Sequence, residues 1–94
     1  MTFDSPEDIK PEVKLLVIRA LKFENVSPEE ILNDVSLFSG ENTIKIDSID
    51  ALELVLAIQK KFMVKIDNNQ TPAWHIINTV DNIAEFVYSQ HHKT

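Results

Sequence analysis

The chain contains no cysteine and a single glycine, Gly40, in 94 residues. Without cysteine there is no disulfide framework and no cysteine-based metal or nucleophile chemistry, a composition that fits a reducing compartment. Scarce glycine and only short runs of apolar/polar alternation favour a mainly helical chain, and Ile44-Lys45-Ile46 is the only strand-like fragment. Positive charge is also sparse: nine Lys and Arg face fifteen Asp and Glu, a formal charge of −6. That balance argues against nucleic acid and for basic partners. The longest apolar runs, Leu15 to Ile18 and Leu54 to Ile58, fall far short of the roughly 20 residues a membrane span needs. The acidic N-terminus lacks signal-peptide or transit-peptide character, so a cytoplasmic location is expected. The length suits one domain over residues 1–94 with a single core.

Met1 to Asp8 read as a loose lead-in, with Ser5-Pro6 or Pro11 able to open a first helix. That helix is predicted to run to about Lys22, because Ile9, Val13, Leu16, Val17, Ala20 and Leu21 recur at the spacing of a buried stripe. Ser27-Pro28-Glu29-Glu30 combines a cap, a first-turn proline and a capping-box glutamate, predicting a short helix that ends near Asn33. A long loop follows to Ile46, with Val35, Leu37, Phe38, Ile44 and Ile46 as apolar anchors. Beyond the central helix, Asp67 to Gln70 read as a turn. Thr71-Pro72 is predicted to start a short helix with Ala73, Trp74, Ile76 and Ile77. Thr79 caps a last helix presenting Val80, Ile83, Ala84 and Val87 on one face, and Ser89 to Thr94 read as a frayed tail.

The stretch Ile46 to Phe62 is the one around which the rest is expected to be organised. Ala51, Leu54, Val55, Ile58 and Phe62 share one helical face, while Ile49, Leu52, Leu56 and Met63 form a second. A surface helix usually buries one stripe, so the second needs another layer or a partner. Asp50, Glu53, Lys60 and Lys61 occupy the remaining side.

Here the chain resembles the acyl carrier protein family, whose motif is Asp-Ser-Leu/Ile-Asp opening a helix that continues with a Glu-Leu-Val-like run. The matching residues are Asp47-Ser48-Ile49-Asp50 and Glu53-Leu54-Val55, continuing through Ala57, Ile58 and Phe62, with weaker likeness from about Ile9 to Val87. The resemblance implies an all-α four-helix bundle with a short third helix and a long loop before the central one. It also implies a non-catalytic carrier of fatty-acid, polyketide or related intermediates, held as thioesters on 4'-phosphopantetheine attached to Ser48. The implied partners are a phosphopantetheinyl transferase and acyl-transferring and chain-modifying enzymes, meeting a monomer at Asp47, Ile49, Asp50, Leu52, Glu53 and Leu56. In the family the loop ends in a glycine close to the motif, whereas this chain has Ile44-Lys45-Ile46 there, a substitution expected to stiffen the approach to Ser48.

Taken residue by residue, Ser48 also suits a helix cap or first-turn serine, and the matching context decides for attachment. Free first-turn amides would favour a phosphodiester there; Asp47 and Asp50 would oppose it and so read as enzyme contacts. No base stands beside Ser48 in sequence, so a separate transferase is required. Leu56 is expected to be exposed, while Leu52 suits either the docking face or a core covered by the helix around Trp74. A calcium loop beginning at Asp67 is rejected because Pro72 and Asn78 occupy its glycine and glutamate places. His75, His91 and His92 read as surface residues rather than metal ligands, and a Ser48–His75 hydrolase lacks a nucleophile-elbow sequence. Lys60 and Lys61 divide the central helix into a negative and a positive half, where many fatty-acid carriers are acidic throughout. That division suggests restricted partners or a solvated face. A helical adaptor or regulatory interaction domain that never receives the arm is the alternative.

Overall fold

The computed structural model describes residues 3–67 and 73–92. Four helices occur in the described residues, with no strand among them: α1 (Pro6–Ala20), α2 (Ser48–Phe62), α3 (Ala73–Ile76) and α4 (Val80–His91). This is the expected all-α bundle, with a short third helix and a long loop before α2. Thr71 and Pro72, the expected start of the third helix, lie outside the described residues, as do positions 68–72 of the rejected calcium loop and most of the turn expected at Asp67 to Gln70.

Helix α1 begins with Pro6, whose missing amide costs nothing at that position, and it continues through Pro11 instead of starting there. Its first turns are held just ahead of that proline. Ile9 is fully buried, and Lys10 bonds to Glu7 at 2.6 Å and to Asp81 of α4 at 2.9 Å. At the other end Lys22 turns left-handed at φ 56°, letting Phe23 N–H donate to Ile18 O at 3.0 Å. That is a Schellman closure made without glycine.

The core joins Ile9, Val13 and Val17 of α1 to Leu54, Ile58 and Phe62 of α2 and to Val80, Ile83, Ala84 and Val87 of α4. Helix α1 packs against both α2 and α4, and α3 rests on α4. The helix at the centre of the packing is thus α1 and not α2, because α2 turns only one of its two apolar faces inward.

Three boundaries differ from expectation. The segment after Ser27 forms a single 3₁₀ turn, Pro28–Glu30, instead of a helix reaching Asn33. Ile31 is buried in extended conformation, and Leu32 N–H and C=O bond to the Asn42 side chain at 2.8 and 2.9 Å, so those groups are lost to any helix. The lead-in is packed from Phe3 onward, its ring lying 6.2 Å from Phe62 and 6.4 Å from His91. The expected tail is helical as far as His91, tied by His91 Nε2 to Phe62 O at 2.7 Å and by the stacking of Tyr88 on His92 at 4.0 Å.

The long loop is anchored as its apolar residues suggest, with Leu37, Ile44 and Ile46 buried. Its polar fastening was not foreseen. Asn42 is only 8 % exposed; its Oδ1 accepts from Leu32 and Thr43 N–H, and its Nδ2 donates to Leu32 O and Val35 O. Thr43 Oγ1 adds a hydrogen bond to Glu30 O. Leu37 links the loop to two other segments, donating to Asn78 O at 2.7 Å and accepting from Ile46 N–H at 2.8 Å. Ile44-Lys45-Ile46 alternates inward and outward, yet forms no strand.

Candidate functional site

Asp47, not Ser48, caps α2. Its Oδ1 accepts from Ile49 N–H at 3.0 Å and Asp50 N–H at 2.9 Å, and Asp50 Oδ2 reaches back to Asp47 N–H at 3.5 Å. Ser48 therefore occupies the first helical position with its side chain exposed and without a capping duty. This corrects one expectation. The first-turn amides are not free for a phosphate, since two of them are taken by Asp47. Both acids also have a structural task, satisfying amides that the helix geometry leaves unpaired.

Ser48 opens onto a cleft of about 590 Å³ lined by Phe38, Lys45, Ile46, Asp47, Ser48, Ala51 and Trp74. Each wall has a different origin. Phe38 and Lys45 come from the pinned loop, Ala51 from the second turn of α2, and Trp74 from α3. Trp74 is 61 % exposed while Ile76 and Ile77 fill the core, so α3 spends its buried side on the bundle and leaves the indole at the cleft. Trp74 and Lys45 are site residues that sequence reasoning did not single out. The signal for Lys45 was its place in Ile44-Lys45-Ile46, the segment that departs from the family's glycine-ended loop, and for Trp74 its place in a helix too short to bury two faces.

Ile49, Leu52 and Leu56 are exposed by 74, 65 and 58 %, and Met63 at the end of α2 is also exposed. The core reading of Leu52 therefore fails: α3 does not cover this face. Glu53 is exposed beside it, and Asp50 is half-buried. The positive half of α2 is divided between two faces. Lys60 is exposed, whereas Lys61 lies 3.6 Å from Glu12 of α1 and is partly neutralised there.

The histidines are dispersed. His75 is exposed with its ring against Trp74, His91 bonds to Phe62 O, and His92 stacks on Tyr88. No group of three or more His, Asp or Glu side chains able to hold a metal occurs among the described residues.

The chain is 34 % identical to the acyl carrier protein of Sulfurovum sp. (strain NBC37-1) over 76 residues, covering 81 % of this chain and 89 % of that one. It belongs to the acyl carrier protein family. The acyl carrier proteins of Buchnera aphidicola subsp. Acyrthosiphon pisum (strain 5A) and subsp. Schizaphis graminum (strain Sg) are 25 and 24 % identical to it. These matches cover 93 and 92 % of this chain and 98 % of each relative. No protein-family model matches the chain.

Acyl carrier proteins generally bear 4'-phosphopantetheine and work with biosynthetic enzymes as carriers rather than catalysts. The cleft suits such a group by its chemistry. The serine hydroxyl is accessible, the walls are largely apolar, and Lys45 supplies positive charge where a phosphodiester would add negative charge to Asp47 and Asp50. No helix among the described residues is long and apolar enough to cross a membrane.

Proposed function

We propose that residues 1–94 act as one carrier domain with 4'-phosphopantetheine joined to Ser48, bearing acyl intermediates of fatty-acid, polyketide or related biosynthesis. When bound, the arm supplies a terminal thiol on which an acyl group is held as a thioester. The observation that supports this reading best is that Asp47 takes over the capping of α2. Ser48 is thereby left at an exposed helical position facing a cleft. A serine needed for the helix would be expected to serve as its cap.

Loading requires Ser48 Oγ to attack the phosphorus of coenzyme A that bears pantetheine. The Oγ–P bond forms, the pyrophosphate P–O bond breaks with departure of adenosine 3',5'-bisphosphate, and the hydroxyl proton passes to a base. Among the described residues lining the cleft there is no histidine, and the Asp47 carboxylate beside Ser48 is engaged with the amides of Ile49 and Asp50, so a phosphopantetheinyl transferase provides the base. Asp47 holds the helix start in place during that encounter. Ile49, Leu52 and Leu56 offer an apolar surface, and Asp47, Asp50 and Glu53 surround it with negative charge. A face of this kind suits transient docking on basic enzymes. The protein acts as a monomer in the cytoplasm, meeting the transferase and its acyl-transferring and chain-modifying partners in turn.

Intact mass after incubation with coenzyme A and a broad-specificity transferase tests this reading. One added phosphopantetheine, mapping to Ser48 and absent from a folded Ser48→Ala variant, is expected. An unchanged wild-type mass with several competent transferases would identify a carrier-like interaction domain that receives no arm.

A further inference from the structure

Among the described residues that line the cleft beside Ser48, Lys45 alone is cationic. Lys45 stands between Ile44 and Ile46, which are 4 and 1 % exposed, so two buried neighbours fix its backbone and turn it outward. Leu37 O further holds Ile46 through its amide at 2.8 Å. The lysine stem passes over Gly40, where an added Cβ would lie 3.7 Å from Lys45 Cδ. Lys45 lines the same cleft as Ser48 and Trp74 and makes no salt bridge to any described residue.

The usual seat for an anion at a helix start is already occupied, because Asp47 accepts from the amides of Ile49 and Asp50. Asp47 and Asp50 would also repel a phosphodiester on the intervening serine. The cationic group that lines the cleft beside such an anion is Lys45.

We propose that the Lys45 ammonium pairs with the phosphodiester at Ser48 and holds the phosphopantetheine arm along the cleft against Trp74. This rests on Ser48 being the attachment site. The occupant is the arm itself: its attachment point is part of the cleft wall, and its one anionic group is complementary to Lys45. Little backbone freedom is lost in the pairing, since Ile44 and Ile46 on either side of Lys45 are already buried.

Trp74 is the only tryptophan in the chain, so its emission reports on the cleft alone. Wild type, Lys45→Gln and Lys45→Arg are prepared without the arm and, by exhaustive transferase treatment checked by intact mass, with it. Tryptophan emission and the ³¹P chemical shift are then recorded at low and high salt. Loading is expected to shift wild-type emission to the blue. Most of that shift should be lost in Lys45→Gln and diminished by salt, but kept in Lys45→Arg, with the arm-free proteins alike. The ³¹P resonance should separate Lys45→Gln from the other two. An equal shift on loading in Lys45→Gln and wild type would overturn the pairing, and so would a change already present without the arm. Loading of wild type but not of Lys45→Gln would make Lys45 a transferase contact and overturn it as well. A wild type that gains no mass would instead remove Ser48 as the attachment site, and the pairing with it.

Discussion

His91 Nε2 donates to the carbonyl oxygen of Phe62 across 2.7 Å, joining the last turn of α4 to the end of α2. The bond satisfies one of the carbonyls that a helix end leaves without an intrahelical partner. Phe3 packs on both residues, so three distant parts of the chain meet there. His91→Ala should cost about 1 kcal/mol, read by urea unfolding. Ser89→Ala, an exposed change on the same helix, should have far less effect. A negligible cost for His91→Ala would return the end of α4 to the status of a frayed tail.

Asn42→Ala should be more damaging. Removing the side chain strips partners from Leu32 N–H, Leu32 O and Val35 O, and leaving such groups unsatisfied costs ~1–3 kcal/mol. Asn42→Asp should also destabilise, because a carboxylate cannot donate to the two carbonyls. Thermal unfolding checks both variants.

Leu54 and Leu56 stand two residues apart on α2 with opposite environments, 0 and 58 % exposed. Leu54→Ala should cost ~2–5 kcal/mol as a core truncation. Leu56→Ala should stay within about 0.5 kcal/mol of wild type and slow loading or acyl transfer instead. Paired unfolding and transfer assays test the contrast.

Lys60→Glu should speed loading by a transferase with a basic docking surface by a few-fold, and the gain should shrink with salt, since exposed charges are screened over ~8 Å at physiological ionic strength. Lys61→Glu is a different experiment. It places a second carboxylate opposite Glu12, so it should lower the unfolding midpoint slightly. Slower loading of folded Lys60→Glu at low salt would mean that the partner is acidic opposite this position.

Lys10 has its pKa raised from the ordinary 10.5 to about 12, chiefly by hydrogen bonds to Glu7 and then Asp81. Because the folded form holds the proton more tightly, this stabilisation is fully present below pH 10.5 and is lost as pH rises through about 12. The stability difference between wild type and Lys10→Met should be flat through neutral pH and should narrow across that alkaline window. Denaturant titrations at fixed pH values measure it.

Periodicity carried most of the bundle. Ile9, Val13 and Val17 repeat at helical spacing and are buried, and Thr79 caps α4 through a hydrogen bond to Asn82 N–H at 3.0 Å. The two faces of α2 were also legible from the spacing of its apolar residues, one being buried and the other exposed. What sequence did not reveal depends on contacts between distant residues. Asn42 clamps a segment ten residues earlier, and His91 closes a helix that ends 29 positions before it. At the site, the Asp-Ser-x-Asp spacing located Ser48 but not the division of labour within the motif, which follows from the extended backbone of Asp47. Trp74 read only as a member of the short helix; a four-residue helix could not bury it together with Ile76.

Leu37, bonded through its amide to Asn78 and through its carbonyl to Ile46, has a consequence for how this scaffold tolerates change. The exposed bend at Ser39 to Glu41 hangs between Leu37 on one side and Asn42 on the other. Extra residues inserted there would lengthen a span whose two ends are already held, and loop length adds only slowly to the entropy of closure. The approach to Ser48 would keep its register while the bend acquired a tag, a dye or a new recognition segment, making it the natural graft point of the protein.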